Sequence, residues 1–309
     1  MVINQVQKMK KTTVVLALAL AGVTAVQAEP VTVYGQLNVS AQSSDEGEGR
    51  FSELKSNSSR FGLKGDYALE DGLSVVYQLE WEVDPSDEAN EKNIKARNQY
   101  IGLAGNFGEV RLGRHDTAQK DAQGKIDLFS DYEADVKHLW KGETRASDSV
   151  TYLSPKFNGF GLHVTYVMED SVDAEDAISA AVYYGDENLK ESNFYAAVSM
   201  DSEVAGYDTV RVQAQGKFSG VKLGAMLHRQ ENVETGLEQD GWLVSAAYPV
   251  GKTELKAQYQ TLEDDNAISI GADYKAGKST TLYAWYSSFN LDLAAPDRDY
   301  LAVGIKHKF

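Results

Sequence analysis

The feature that most constrains this chain is an alternation of apolar and polar residues that begins at residue 31 and recurs to the C-terminus. In the first run the apolar residues occupy odd positions, namely Val31, Val33, Leu37, Val39 and Ala41. The residues on the other face are mostly polar, namely Thr32, Tyr34, Gln36, Asn38 and Ser40. Because successive side chains of a β-strand point to opposite faces, this period of two predicts a strand with one apolar face.

Similar runs fill the rest of the chain. The clearest lie at 60–67, 73–83, 210–218, 255–260, 268–274 and 301–309, and weaker ones near 97–104, 107–114, 147–154, 161–168, 177–184, 193–200, 221–228, 242–248 and 279–287. This count predicts about sixteen strands. Several runs have nine or more residues, which suits tilted membrane strands of ~9–11 residues better than the ~5–6 of soluble sheets. Alternation by itself also fits a soluble all-β lectin or periplasmic binding domain with its apolar faces turned inwards.

The connections between the predicted strands alternate in length. Short turns are predicted at 69–72, 105–106, 155–159, 219–220, 249–251 and 275–278, and longer acidic loops at 43–56, 84–93, 201–207, 231–240 and 290–299. Aromatic residues stand near strand ends, at Trp81, Tyr100, Tyr152, Tyr166, Trp242, Tyr248 and Tyr274. Short turns at one end, long loops at the other and aromatic girdles are typical of transmembrane β-barrels, in which the apolar faces contact lipid.

Residues 1–28 have the organisation of a cleaved secretory signal peptide. Lys8, Lys10 and Lys11 precede an apolar stretch from Thr12 to Val23, and Ala28 ends a small-x-small cleavage site. The apolar stretch is shorter than the ~20 residues that a spanning helix needs. Cleavage predicts a mature barrel of residues 29–309, whose net charge falls from −16 to −19 because the signal carries three lysines and no acid.

The bulk composition excludes several classes of protein. The chain has 46 acidic and 30 basic residues, which argues against a nucleic-acid partner, because such proteins present a basic face to phosphate. It contains no cysteine, so disulfides, thiolate zinc sites and cysteine nucleophiles are excluded. Its five histidines form no H-E-x-x-H motif, and G-x-S-x-G, P-loop and G-x-G-x-x-G motifs are absent. We therefore expect no enzyme, no cofactor and no catalytic residue.

Five segments together resemble the trimeric general porins of Gram-negative outer membranes. They are VTVYGQLNVS at 31–40, SSRFGLKG at 58–65, RNQYIGLAGNFGEVRLGR at 97–114, SDSVTYLSPKFNGFGL at 147–162 and VGIKHKF at 303–309. The resemblance implies a homotrimer in the outer membrane, surrounded by lipid, that passes small hydrophilic solutes by passive diffusion. It also implies that terminal Phe309 belongs to the signal read by the outer-membrane assembly machinery.

The resemblance further implies that the third loop, roughly His115 to Arg145, folds into the lumen. The expected constriction sets basic wall residues against loop acids, with Arg60, Arg97 and Arg145 on the wall and Asp121, Asp127, Asp131 and Glu133 among the facing acids. Arg111, Lys64 and Arg114 are further wall candidates. Opposed charges at a narrow waist set up a transverse field that discriminates between ions. If the acids outweigh the bases, the channel prefers cations mildly.

Other functions stay open at this stage. A sugar-type channel would carry aromatic side chains along the lumen, for which Tyr183, Tyr283 and Trp285 are candidates, and an adhesion barrel would not conduct. Acidic loop runs, namely Asp84, Asp87 and Glu88, or Glu263, Asp264 and Asp265, offer oxygen ligands suited to Ca²⁺ or Mg²⁺. No EF-hand spacing is present, and solvated charge is the better interpretation, so no metal site is expected.

Overall fold

The computed structural model describes residues 31–86, 93–169, 175–292 and 295–309, and the predicted signal peptide, residues 1–28, lies outside these ranges. The described chain forms antiparallel strands joined into one sheet. The strands are β1 Thr32–Asp45, β2 Arg50–Ser56, β3 Arg60–Ala68, β4 Ser74–Val83, β5 Ile94–Gly105, β6 Gly108–Asp116, β7 Arg145–Leu153, β8 Phe160–Val167, β9 Ala177–Gly185, β10 Phe194–Val204, β11 Tyr207–Phe218, β12 Val221–Asn232, β13 Leu237–Val250, β14 Thr253–Leu262, β15 Asp265–Lys275, β16 Thr280–Asn290 and β17 Arg298–Lys308. One short helix, α1, covers Ala118–Ala122, and 3₁₀ turns lie at Glu70–Gly72 and Val136–His138.

The sheet closes into a sixteen-stranded barrel, which confirms the predicted fold. Both β2 and β3 pair with β1, β2 against its second half and β3 against its first. They are therefore two parts of one barrel strand, interrupted at residues 57–59. The last strand returns to the first, with a register from Gln36 opposite Lys308 to Asp45 opposite Asp299. No described helix is long and apolar enough to cross a bilayer.

The two faces of the barrel are inverted relative to a soluble protein. Leu227 and Val303 point outwards with 64% and 57% of their surface exposed, whereas Gln213 and Thr165 point inwards and are at most 2% exposed. An apolar outer band around a polar interior is the arrangement of a membrane barrel. The soluble lectin-like alternative is therefore wrong.

Three of the predicted outer loops are much shorter in the structure than the sequence pattern indicated. The strands continue through most of 43–56, 201–207 and 231–240, and leave turns only at 46–49, 205–206 and 233–236. Above a membrane both faces of a hairpin meet water, so the apolar alternation fades while the ladder of hydrogen bonds continues. Most of the predicted 84–93 loop, residues 87–92, lies outside the described residues, as do residues 293–294 of the loop at 290–299.

The third loop, residues 117–144 between β6 and β7, folds into the barrel interior as predicted. Its backbone and side chains bond to inward-facing groups on the far wall: Ser245 Oγ donates to the Ile126 carbonyl at 2.7 Å, and Trp140 Nε1 donates to the Thr261 carbonyl at 2.7 Å. Apolar loop residues pack on the wall in a cluster that contains Ile126, Phe129, Tyr132, Val136, Leu139, Trp140, Met226, Leu243, Leu262, Tyr283, Trp285, Phe289 and Tyr300. The loop thus fills one side of the lumen and leaves the other open.

Candidate functional site

The open side of the lumen is a cavity of about 930 Å³ between the third loop and the wall that runs from β3 to β10. Its charged lining consists of the acids Glu82, Asp116, Asp121, Asp131, Asp135, Glu143, Asp186, Glu187 and Glu191 and the bases Arg60, Arg97, Arg111, Lys120, Lys125, Lys137, Arg145 and Lys156. Nine acids thus oppose eight bases, so the lining carries little net charge.

Arg60 joins the wall to the tip of the third loop. It leaves β3 just after the interruption at residues 57–59, and its Nη1 lies 3.3 Å from Oδ2 of Asp131. Its Nε lies 3.8 Å from Oε2 of Glu80 on β4. Burial alone would raise the pKa of the Asp131 carboxyl, but the charges of Arg60 and Arg97 outweigh it and hold this pKa below its usual value. Asp131 is therefore charged at neutral pH.

Arg97 points into the lumen from β5. Its Nε and Nη1 each lie 2.7 Å from a carboxylate oxygen, the first on Glu80 and the second on Glu82. Both acids stand on the polar face of β4, so the alternation at 73–83 already pointed to them, although they were not among the predicted site residues. One arginine thus neutralises much of the charge of two acids.

Arg145 belongs to a separate charge cluster at the root of the third loop. Its Nη2 lies 2.9 Å from Oδ1 of Asp116, and its Nε donates to Oδ1 of Asn98 at 2.6 Å. Lys120 approaches the same Asp116 oxygen at 3.2 Å. This network fixes the point where the loop leaves β6 and returns to β7.

Arg111, a further predicted candidate, also faces the lumen. Its Nε lies 2.6 Å from Oε1 of Glu109, and its guanidinium sits 4.7 Å from the ring centroid of Tyr100. Tyr100 therefore lines the channel rather than the outer girdle to which it was assigned.

The structure does not bring Asp127 and Glu133 to the channel. Asp127 is buried between the third loop, to which it belongs, and the wall. Its carboxylate accepts hydrogen bonds from the backbone N–H groups of Phe129 and Val136 and from Nε2 of Gln258. Burial raises the pKa of Asp127 to about 7, and the charge of Asp135 adds to the rise. Glu133 instead pairs with Lys55 at 2.5 Å, away from the cavity. Both acids therefore bond the loop to the barrel wall, Asp127 through Gln258 and Glu133 through Lys55.

A second segment also enters the lumen, and the sequence pattern gave no indication of it. The turn between β9 and β10, residues 186–193, lies at the end of the barrel that holds both chain termini. Leu189 is 3% exposed and packs in a cluster with Ala118 and Ala122 of the third loop. Its carbonyl accepts from Lys217 Nζ at 2.6 Å, and the Glu187 carbonyl accepts from Gln215 Nε2 at 2.6 Å. We call this segment the inward turn.

The aromatic candidates for a sugar path all lie on the inner face, but only one of them is open. Tyr183 lines the cavity. Tyr283 and Trp285 are 5% and 2% exposed, and Tyr132 of the third loop covers them at ring-centroid distances of 5.0 and 5.6 Å. The loop therefore hides two of the three aromatic side chains.

Comparison with known proteins gives a consistent result. The family model described as Gram-negative porin matches residues 12–292. The major outer membrane protein P.IB of Neisseria sicca is 32% identical, with 97% of this chain and 100% of that protein covered. A monosaccharide porin of a Halomonas species is 28% identical with the same coverage. Among solved structures, an anion-selective porin from Comamonas acidovorans superposes with a TM-score of 0.78 at 22% identity, covering 91% of this chain and all of that one.

Proposed function

Because this chain belongs to the Gram-negative porin family, we propose that its barrel is a general channel through which small hydrophilic solutes and ions cross the outer membrane by passive diffusion, with at most a mild preference for cations. The observation that carries this proposal is the open, charged cavity beside a third loop that is anchored to the opposite wall. A fixed loop sets a permanent aperture. A polar lining replaces part of the hydration shell of a permeating solute.

The weak selectivity follows from the pairing of the charges. Arg60, Arg97 and Arg145 each lie within 4 Å of a carboxylate, so their fields largely cancel beyond a few ångströms. The mature chain carries −19, and the inward turn adds acids at one mouth. These acids enrich cations near the openings. Salt screens charges strongly there, so the resulting preference for cations is weak.

Two relatives mark the alternatives. The solved structure with a TM-score of 0.78 is described as an anion-selective porin, and the Halomonas relative is described as a monosaccharide porin. For this chain a sugar-specific path has less support, because Tyr283 and Trp285 lie beneath the third loop. The same proposal includes two points that rest on the sequence resemblance. The protein forms a homotrimer, and the outer-membrane assembly machinery recognises Phe309.

The test is a planar bilayer recording on the purified protein. We expect steady ohmic conductance in symmetric KCl and a small reversal potential of cationic sign in a salt gradient, falling at 1 M salt where the Debye length is ~3 Å. In liposome swelling assays, the rate of entry of neutral solutes should decrease as their size increases. A non-conducting barrel would contradict the proposal, a strong anionic potential would contradict the cation preference, and saturable uptake of one sugar would favour the specific channel.

A further inference from the structure

Three potential metal ligands converge on the lumen wall at the root of the third loop. His115 is on β6, His163 is on β8, and Asp121 is on α1. The two histidines are 4% and 3% exposed, and all three residues line the cavity. We call them the two-histidine cluster. His163 is distant in sequence from the other two residues, and the three form no recognisable motif, so only the fold brings His163 to His115 and Asp121.

The geometry of the two-histidine cluster is close to that of a metal site. Oδ2 of Asp121 lies 3.8 Å from Nδ1 of His115 and 3.7 Å from Nδ1 of His163. One donor atom from each of the three residues falls within 4.8 Å of the other two, and no other group of described residues does so. Ligands ~2.0–2.1 Å from a tetrahedral ion lie about 3.4 Å apart. The Asp121 oxygen therefore needs shifts of a few tenths of an ångström to reach each imidazole, and the two imidazoles, whose ligand atoms lie within 4.8 Å of each other, must move closer together.

Within the described residues, His163 has an unpaired ring nitrogen at this position. Its Nε2 is buried and has no hydrogen-bond partner in the described part of the chain, although buried polar groups are normally paired. Its ring lies 6.1 Å from that of His115, with the planes inclined at 59°. In the neutral ring with its proton on Nε2, Nδ1 keeps a lone pair, and this atom lies 3.7 Å from Oδ2 of Asp121, where a cation between them could bind.

His115 must exchange contacts before it can coordinate through Nδ1. This atom lies 2.6 Å from the backbone carbonyl of Asp116, to which an Nδ1 proton donates, and Nε2 contacts Nη1 of Arg111. On metal binding the imidazole turns so that Nδ1 leaves the Asp116 carbonyl, the ring proton moves from Nδ1 to Nε2, and Arg111 withdraws from Nε2. Arg111 retains its partner Glu109 at 2.6 Å and its position over the Tyr100 ring, so the exchange leaves no charge unpaired.

We propose that the two-histidine cluster binds one divalent first-row transition-metal ion, with the fourth coordination position open to lumen water. Two imidazoles and one carboxylate suit Zn²⁺, Cu²⁺, Ni²⁺ and Co²⁺ better than Mg²⁺ or Ca²⁺, which prefer oxygen ligands only. The bound ion adds positive charge and a hydrated volume beside the wall arginines. Binding therefore lowers conductance and moves selectivity towards anions.

The experiment measures Zn²⁺ binding and channel block on the same preparation. Calorimetry on the detergent-solubilised protein should show one site per chain, and micromolar Zn²⁺ should reduce single-channel conductance reversibly in a bilayer. His163→Ala and Asp121→Asn should each weaken binding and block by at least about tenfold. His307→Ala is the matched control, because this exposed histidine bonds to Thr280 at 2.8 Å outside the lumen. Mobility on non-boiled gels reports whether each variant has folded.

The outcomes separate this proposal from the channel proposal. Calorimetric binding does not depend on conduction, so binding without any channel activity would contradict only the proposed function. Absence of one-site binding in the wild-type protein would overturn the metal site. Equal Zn²⁺ affinity in His163→Ala and wild type would also overturn it and would assign the ion to loop carboxylates. If Mg²⁺ blocked the channel as strongly as Zn²⁺, this would also overturn the metal site and point to loop carboxylates.

Discussion

Arg97 lies between the carboxylates of Glu80 and Glu82, at 2.7 Å from each, and the balance of lining charge depends on such pairs. The substitution Arg97→Gln removes one positive charge and leaves both acids without their nearest basic partner. We expect the cation-to-anion permeability ratio to rise roughly twofold or more, measured as a reversal potential in a KCl gradient.

Arg229→Gln is the matched control for Arg97→Gln. Arg229 forms a two-pronged pair with Asp240 at 2.7 and 2.9 Å, but its side chain is 60% exposed and outside the lumen. An equal shift in both variants would mean that total charge, and not the constriction, determines selectivity.

Asp127 gives the barrel a predictable dependence on pH. Its pKa in the folded protein is about 7, above its ordinary value of 3.8, so between these values the folded state binds the proton more tightly than the unfolded state does. The stability contributed by the protonated form is complete below about pH 4 and is lost as the pH rises through about 7. We expect the wild type to lose melting temperature relative to Asp127→Asn as the pH rises from 5 to 8, because the variant lacks this titration.

Asp131→Asn is the control for this titration. The pKa of Asp131 is held below its usual value by Arg60 and Arg97, so the residue does not titrate between pH 5 and 8. The variant should keep the wild-type slope of melting temperature against pH. A slope that persists unchanged in Asp127→Asn would assign the pH dependence to another group.

At the scale of structural elements, the third loop is held by an apolar core inside a polar lumen. Trp140 is 1% exposed, stacks on His228 at 4.7 Å and donates to the Thr261 carbonyl. Trp140→Ala removes the largest anchor, at a cost of about 3–5 kcal/mol for a buried tryptophan. We expect a loosened loop, seen as flickering current and faster protease cleavage within 117–144. Quiet current and a protected loop in the variant would show that the other contacts suffice.

The inward turn is the second element that narrows the lumen. Replacing residues 187–192 by two glycines removes Leu189 from its contact with α1 and removes Glu187 and Glu191 from the lining. We expect conductance to rise by roughly half and cation preference to decrease. The double substitution Glu187→Gln and Glu191→Gln keeps the turn in place and should change selectivity without the rise in conductance. If shortening leaves conductance unaltered, the aperture lies elsewhere.

The sequence pattern predicts the strands of this barrel better than the two segments that fill its lumen. The strands were predictable because lipid on one side and water on the other impose a period of two. The family resemblance predicted that the third loop folds inwards, but the directions of its side chains and the path of the inward turn were not predictable, because neither segment belongs to a ladder that fixes alternating directions. Asp127 and Asp131 lie four residues apart in the same acidic loop, yet one bonds to Gln258 and the other to Arg60. Leu189 enters the lumen through a contact with α1 that no local pattern encodes.

The barrel closes where the first strand pairs with the last, and Phe309 lies at this seam. Phe309 and Gly35 exchange two backbone hydrogen bonds, of 3.0 and 3.1 Å, beside the pairing of β1 with β17. The Phe309 ring lies over Gly35, where an added Cβ would come within 2.5 Å of Cζ. An unpaired strand edge is costly in a bilayer because no water satisfies its backbone groups, so the contact matters most while the barrel closes.

Deleting Phe309 removes both the backbone pair and the ring, whereas Phe309→Ala keeps the backbone pair and removes only the ring. If the ring against Gly35 completes closure, both variants should reduce the yield of folded barrel in outer membranes severalfold, and both purified chains should refold more slowly than the wild type in detergent. If Phe309 acts only through recognition by the assembly machinery, the yield in cells should fall, but both purified chains should refold in detergent at the wild-type rate. Heat-modifiable gel mobility measures the folded fraction in each case. Wild-type yield of the deletion variant in cells would contradict both roles, because neither closure nor recognition would then need the last residue.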